Sequence, residues 1–212
     1  MTGAQFHRLL TAVLPSAATG DVLPQLNAVH LETGPHGVHA AATDRYTFAV
    51  ARHADPAPGR RPAQITIPRH AIVAMLRLAR RRDHTATVRI TAGYLTLRTA
   101  AGVTYRTPGL DTRGCGGFPD WRHTFTRLLA SPQEPGNQAV CLNAAFLARF
   151  TAATDTAGLR VTVHRAPGQR CHTLVITAGD WFLAALMSLA DPAHAAAPGE
   201  TWHADLSPAQ AA

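Results

Sequence analysis

Lysine is absent from this 212-residue sequence; all 20 basic side chains are arginine. Carboxylates number only 13, so the formal charge is +7. Guanidinium groups stay charged at any accessible pH and pair bidentately with phosphates and carboxylates. The surplus therefore permits contact with polyanions without establishing it. Cysteine is scarce as well. Cys115, Cys141 and Cys171 are odd in number, far apart, and outside any CxxC or zinc-ligand spacing. That excludes a disulfide framework and reads as a reducing, cytoplasmic setting. No apolar run approaches the roughly 20 residues of a membrane span. The N-terminal MTGAQFHRLL lacks the apolar core of a signal peptide.

Catalytic signatures are missing too. There is no GxSxG, P-loop, HExxH, or GxGxxG following a strand. His30, His36 and His39 cluster in sequence, but on alternating strands His36 and His39 would point to opposite faces. His164 near Cys171 and His172 is no closer to a ligand set. Asp44 reads as a structural residue at a strand bend, and Asp120 as a turn residue after Pro119. The expectation is a protein that is not an enzyme and needs neither metal nor cofactor. A small hydrolase or transferase, the rival reading, would require His and Asp groups converging in one pocket with perturbed pKa values.

What is present is enough for a core: 46% of residues are hydrophobic and 16% charged, a globular balance, and the length corresponds to about one and a half domains. One pattern, an amphipathic helix beside alternating strands, recurs three times. In the first copy Phe6, Leu9, Leu10, Val13 and Leu14 recur at helical spacing. A strand including Leu26 and Ala28, a turn at Thr33–Gly37, and one long strand VHAAATDRYTFAVAR follow. The second copy begins after the linker ADPAPGRRP. It holds the strand AQITIP, a helix RHAIVAMLRLARRR opened by Pro68, and strands TVRITA, YLTLRTA and VTYRTP. Ile72, Met75, Leu76 and Ala79 share a face of that helix. The third copy follows SPQEPGNQ, with a strand AVCLN, a helix AAFLARFTAA, and strands LRVTVHR, HTLVITA and WFLAALMSLA. The fold class is α+β, built from repeated units of a helix plus antiparallel strands.

Several segments together resemble the bacterial DNA polymerase III β subunit, the sliding clamp. Leu23–Arg52 resembles a stretch of its middle domain, with Ala42-Thr43-Asp44-Arg45-Tyr46-Thr47-Phe48-Ala49 standing for the Ala-Thr-Asp strand. Ile65-Thr66-Ile67-Pro68-Arg69 and Phe118-Pro119-Asp120-Trp121-Arg122 are similar to its strand-Pro-Arg-helix and Phe-Pro-Asp-Tyr-Arg segments. Cys141-Leu142-Asn143 and Leu186-Met187-Ser188-Leu189 resemble its last domain. Ser188 stands where the family has Pro, and Ala190 where it has Arg. The resemblance implies a DNA-clamp-like fold whose half-units pair into domains: residues 1–125 as a middle domain, 126–192 as the second half of a last domain, and 193–212 as a poorly ordered Ala/Pro-rich tail. The first domain and the opening half of the last one have no counterpart here, so the family's ring interface does not carry over.

From the resemblance follow two surfaces. A pocket for short clamp-binding peptides would be lined by Leu26, Thr43, Arg45, Tyr46, Thr47, Phe48, Ala185, Met187, Ser188 and Leu189. The residue types suit peptide binding, since Leu26, Phe48, Leu189 and the adaptable Met187 can form an apolar cup, with Arg45 and Tyr46 at its rim. The second surface is a helical face toward duplex DNA. On an ideal helix from Arg69 to Arg82, the residues Arg69, Arg77, Arg80 and Arg81 fall within an arc of roughly 120°. Arg82 adds charge, and Arg8 and Arg149 lie on the corresponding helices of the other units. Such a stripe would hold phosphates without reading sequence. The expected function is a clamp-like replication or repair protein whose partners are duplex DNA, proteins carrying a clamp-binding motif, and further copies of itself. The alternatives are a ring-less homologue that competes for clamp partners, and a DNA-binding regulator unrelated to clamps.

Overall fold

The computed structural model describes residues 1–20, 22–55, 61–79, 85–91, 93–111, 116–133, 140–153, 158–165 and 171–189. The expected tail, Cys115 and Ala190 lie outside these residues. Chain order gives α1 (Gly3–Val13), β1 (Ala28–Gly34), β2 (Gly37–Thr43), β3 (Thr47–Ala54) and β4 (Ala63–Pro68). There follow α2 (Arg69–Leu78), β5 (Thr87–Ile90), β6 (Tyr94–Arg98), β7 (Thr104–Pro108) and α3 (Trp121–Leu129). The last elements are α4 (Ala144–Leu147) with a 3-10 continuation to Ala153, then β8 (Arg160–His164), β9 (Thr173–Ala178) and β10 (Phe182–Met187). Seven strands form one antiparallel sheet in the order β4-β1-β2-β3-β10-β9-β8, and β5-β6-β7 form another.

The first and last strand groups are fused edge to edge. β3 pairs with β10 in the register Phe48↔Ala185, Val50↔Leu183, so segments some 140 residues apart share the middle of the sheet. Strand alternation then assigns two faces. Val29, Leu31, Val38, Ala40, Ala42, Ala49, Ala51, Phe182, Ala184 and Leu186 point to the main core. There they meet Phe6, Leu9, Leu10 and Val13 of α1, Ile72 and Met75 of α2, and Phe150. α1 is firmly started: the Thr2 hydroxyl accepts from the Gln5 backbone N–H while the Gln5 side chain accepts from that of Thr2, a capping box. On the opposite face Ala41, Phe48, Val50 and Ala185 pack under Phe125, with Phe118, Trp121 and Leu128 around them.

Five expectations are corrected. The long strand around Ala42–Phe48 is a hairpin, because Asp44, Arg45 and Tyr46 turn the chain between β2 and β3. The α2 helix ends at Leu78 rather than running to Arg82, since Ala79 leaves helical geometry (φ −84°, ψ 89°). Residues 140–143 form no strand, although the Cys141 carbonyl still accepts from the Leu189 N–H (2.9 Å). Leu26 belongs not to β1 but to the turn before it, closed by Leu26 N–H to the Leu23 carbonyl (2.9 Å). Asp120 is not a simple turn residue: it caps α3, accepting from the His123 N–H (3.0 Å), and α3 itself is an element that periodicity had not revealed.

Candidate functional site

The turn between β2 and β3 is densely tied. The Asp44 carboxylate accepts from the backbone N–H groups of Tyr46 (3.0 Å) and Thr47 (2.8 Å) and from the Thr47 hydroxyl (2.9 Å). Arg149 completes it, donating to Asp44 at 2.5 Å and to the Thr47 hydroxyl at 2.9 Å. Burial pushes the Asp44 carboxyl up, but the hydrogen bonds from Arg149 and Thr47 outweigh it and the pKa is lowered. Arg45 sits at φ +80°, the one non-glycine with positive φ among the described residues. Tyr46 stacks on Phe146 (centroids 5.7 Å apart), and its carbonyl accepts from the Met187 N–H (3.0 Å), which locks the turn to the end of β10.

α3 supplies a facing wall. Asp120 starts it, and Trp121, Phe125 and Leu128 fall on one side at helical spacing. Phe125 is buried against Phe48, their ring centroids 5.6 Å apart, and Phe118 meets Phe48 edge-on at 6.1 Å. Between turn, helix and strand end lies a groove of about 650 Å³. Thr43, Arg45, Tyr46, Thr47 and Phe48 line it from the turn, and Ala185 and Met187 from β10. His123, Thr124, Arg127 and Leu128 line it from α3, with Ala130, Ser131, Pro132 and Thr173 at its end. Seven of the ten residues expected in a pocket thus share one hollow. The other three do not line it. Leu26 is buried in its turn. Ser188 is committed to the sheet, donating to the His172 carbonyl (2.9 Å) and accepting from its N–H (3.0 Å). Leu189 is exposed beyond the groove. The α3 wall was missed entirely; the Asp120 cap followed by Trp121, Phe125 and Leu128 was the signal that could have found it.

A second, more polar hollow of about 860 Å³ lies on the other side of the Phe118–Arg122 segment. Glu32 of β1 organises its wall. Its carboxylate accepts from His30 Nε2 (3.1 Å), Trp121 Nε1 (3.3 Å) and Arg122 (2.5 Å). His30 stacks on Phe118 at 4.9 Å and hydrogen-bonds the Thr66 hydroxyl through Nδ1 (2.9 Å). Burial would raise the Glu32 carboxyl; the hydrogen bonds from His30 and Arg122, with the charge of Arg122, bring it down to about 2. This set is a latch that ties the start of α3 to the sheet. His39, the cross-strand neighbour of Glu32, packs at a tilt against the Trp121 ring (centroids 5.4 Å apart), and burial, then Arg122, lower its pKa. No group of three or more His, Cys, Asp or Glu side chains able to hold a metal occurs among the described residues.

The arginines expected on a helical face divide. Arg77 is exposed on the last turn of α2. Arg69 opens that helix with a buried Nε. Arg8 lies over the Trp181 ring at 3.9 Å, and Arg149 is engaged with Asp44 as above. Arg80, Arg81 and Arg82 lie outside the described residues. No helix among the described residues is long and apolar enough to cross a membrane.

Against known proteins, the family described as "DNA polymerase III beta subunit, central domain" matches residues 1–113, more than half of the chain. The chain belongs to this family. Solved sliding clamps share its fold. The DNA polymerase III subunit beta of Pseudomonas aeruginosa superposes with a TM-score of 0.70 at 14% identity, over 89% of this chain and 65% of that one. The sliding clamp of Bacillus subtilis gives 0.68 at 12% identity, over 89% and 63%. The beta chain from Streptococcus pneumoniae gives 0.65 at 14%, over 89% and 63%. The chain therefore spans less than two-thirds of the length of these clamps. A search of curated protein sequences gives no match. The α+β clamp fold expected from the sequence is the fold observed.

Proposed function

We propose that this chain is a clamp-type docking protein of DNA replication or repair, and that the groove between the β2–β3 turn, α3 and the end of β10 receives a short extended segment of a partner protein. The observation that carries this reading is the convergence of Phe48 and Met187 in one hollow of about 650 Å³. Leu128, Ala185 and Phe48 provide apolar floor, while the Ser131 hydroxyl oxygen and the exposed Tyr46 offer polar contacts. A largely pre-formed apolar cleft with a few polar groups at its rim is what peptide anchoring requires. The action is binding, with no covalent step.

A fluorescent peptide bearing the family's Gln-rich, Leu-Phe-type clamp motif tests this by anisotropy. Saturable binding is expected, together with its loss in Met187→Glu. Met187 is 45% exposed, so the substitution charges the groove without disturbing the core. No binding at high micromolar protein overturns the reading. Tethering of partners within a ring and ring-less competition for them differ in mass: a stable monomer in solution leaves only competition. Contact with duplex phosphates is part of the same proposal on the strength of the net charge and the exposed Arg77. It predicts sequence-independent affinity that falls steeply with salt, and Arg77→Glu should weaken it.

A further inference from the structure

We propose that Arg45 and Arg127 make the groove selective for peptides that carry a carboxylate beside their apolar anchors. The inference rests on the docking reading above and adds a partner chemistry to it. Both arginines line the groove, Arg45 from the β2–β3 turn and Arg127 from α3. No aspartate or glutamate is among the lining residues. Asp44, the nearest in sequence, is already held by Arg149 and Thr47. Both arginines are exposed, and neither guanidinium pairs with a carboxylate of the described residues. Among the described residues the groove thus presents unneutralised positive charge from two independent elements around an apolar floor.

The backbone adds a second, separate observation. Arg45 holds φ +80°, a conformation that costs a side-chain-bearing residue and that glycine adopts freely. Glycine would serve this turn better on folding grounds alone. The turn is held there by Asp44 and Thr43, whose hydroxyl accepts from the Arg45 N–H at 3.1 Å. A strained residue kept in place by its surroundings, with a long cation lining a cleft, points to use of that cation. Lining cations act by long-range attraction and by charge-assisted hydrogen bonds to a carboxylate.

The test uses three labelled peptides with one Gln-rich, Leu-Phe-type core, flanked by two Asp, two Ser or two Lys residues. Binding to the full chain should rank acidic over neutral over basic, with about three- to tenfold between the extremes at low salt. The spread should shrink at about 0.5 M salt. Arg45→Gly should keep or raise the Tm while narrowing the spread, because it relaxes the turn and removes the charge. That opposition separates a selective role from a structural one. Arg127→Glu should favour the basic peptide. Equal affinity for the three peptides, or a ranking unchanged in both variants, overturns the charge selection and leaves the groove standing. Absence of binding by all three removes the groove and this inference together.

Discussion

Replacing Glu32 by Gln isolates one charge in the latch that holds α3 to the sheet. The carboxylate collects His30, Trp121 and Arg122; glutamine preserves its shape and part of its hydrogen bonding but not its charge. A carboxyl that titrates at about 2 in the folded chain and at 4.5 otherwise carries roughly 3 kcal/mol of folding stability. The Arg122 side chain is 55% exposed, so solvent screening reduces this to about 2 kcal/mol. The folded value lies below the unfolded one. The stabilisation is therefore complete above about pH 4.5 and is lost as the pH falls through about 2. At pH 7 the Glu32→Gln variant should melt about 4–8 °C below the parent. The gap should close as the pH falls from about 4.5 toward 2, because the parent loses what the variant never had. Urea titrations followed by tryptophan fluorescence would measure it, Trp121 being itself part of the latch. Equal stability at pH 7, or a gap that does not change with pH, would refute the argument.

Arg149→Ala leaves the half-buried Asp44 carboxylate without its guanidinium, and should cost about 1–2 kcal/mol in denaturation and weaken peptide binding through a loosened β2–β3 turn. Phe125→Ala empties the space over Phe48 and should cost about 3–4 kcal/mol, with groove binding lost alongside, since the same side chain anchors α3. Gly37→Ala places a methyl group 2.1 Å from the His53 carbonyl at a φ of +129°; it should destabilise by more than about 2 kcal/mol and reduce soluble expression.

Much of the fold is legible in the sequence because periodicity is a direct image of burial. The Phe6–Leu14 helix, the AQITIP strand and the three strands of the small sheet stand in strong alternation or helical spacing, bounded by Pro and Gly. The hairpin at Asp44–Tyr46 escapes the same reading for a physical reason. Its turn is made not by glycine or proline but by an arginine held at positive φ by hydrogen bonds to Thr43 and Asp44 within the turn, and Asp44 is itself fixed by Arg149, which is remote in the chain. α3 hides between Pro- and Gly-rich stretches, and its Thr and aromatic content is poor helical material; it is stabilised by the sheet face beneath Phe125 rather than by its own propensity. The turn and strand-end residues of the groove could be foreseen from their likeness to clamp motifs. His123, Thr124, Arg127 and Leu128 are signalled only by the Asp120 cap and the spacing of Trp121, Phe125 and Leu128, a faint cue because tertiary packing rather than propensity holds that helix.

The pairing of β3 with β10 also orders events during synthesis. The Phe48 side of the groove leaves the ribosome long before Met187 does, and until the last strand arrives β3 has an open border. An incomplete translation product can therefore fold its first helix and hairpins yet present no finished cleft, so interrupted synthesis would yield molecules unable to engage partners and prone to stick through that border.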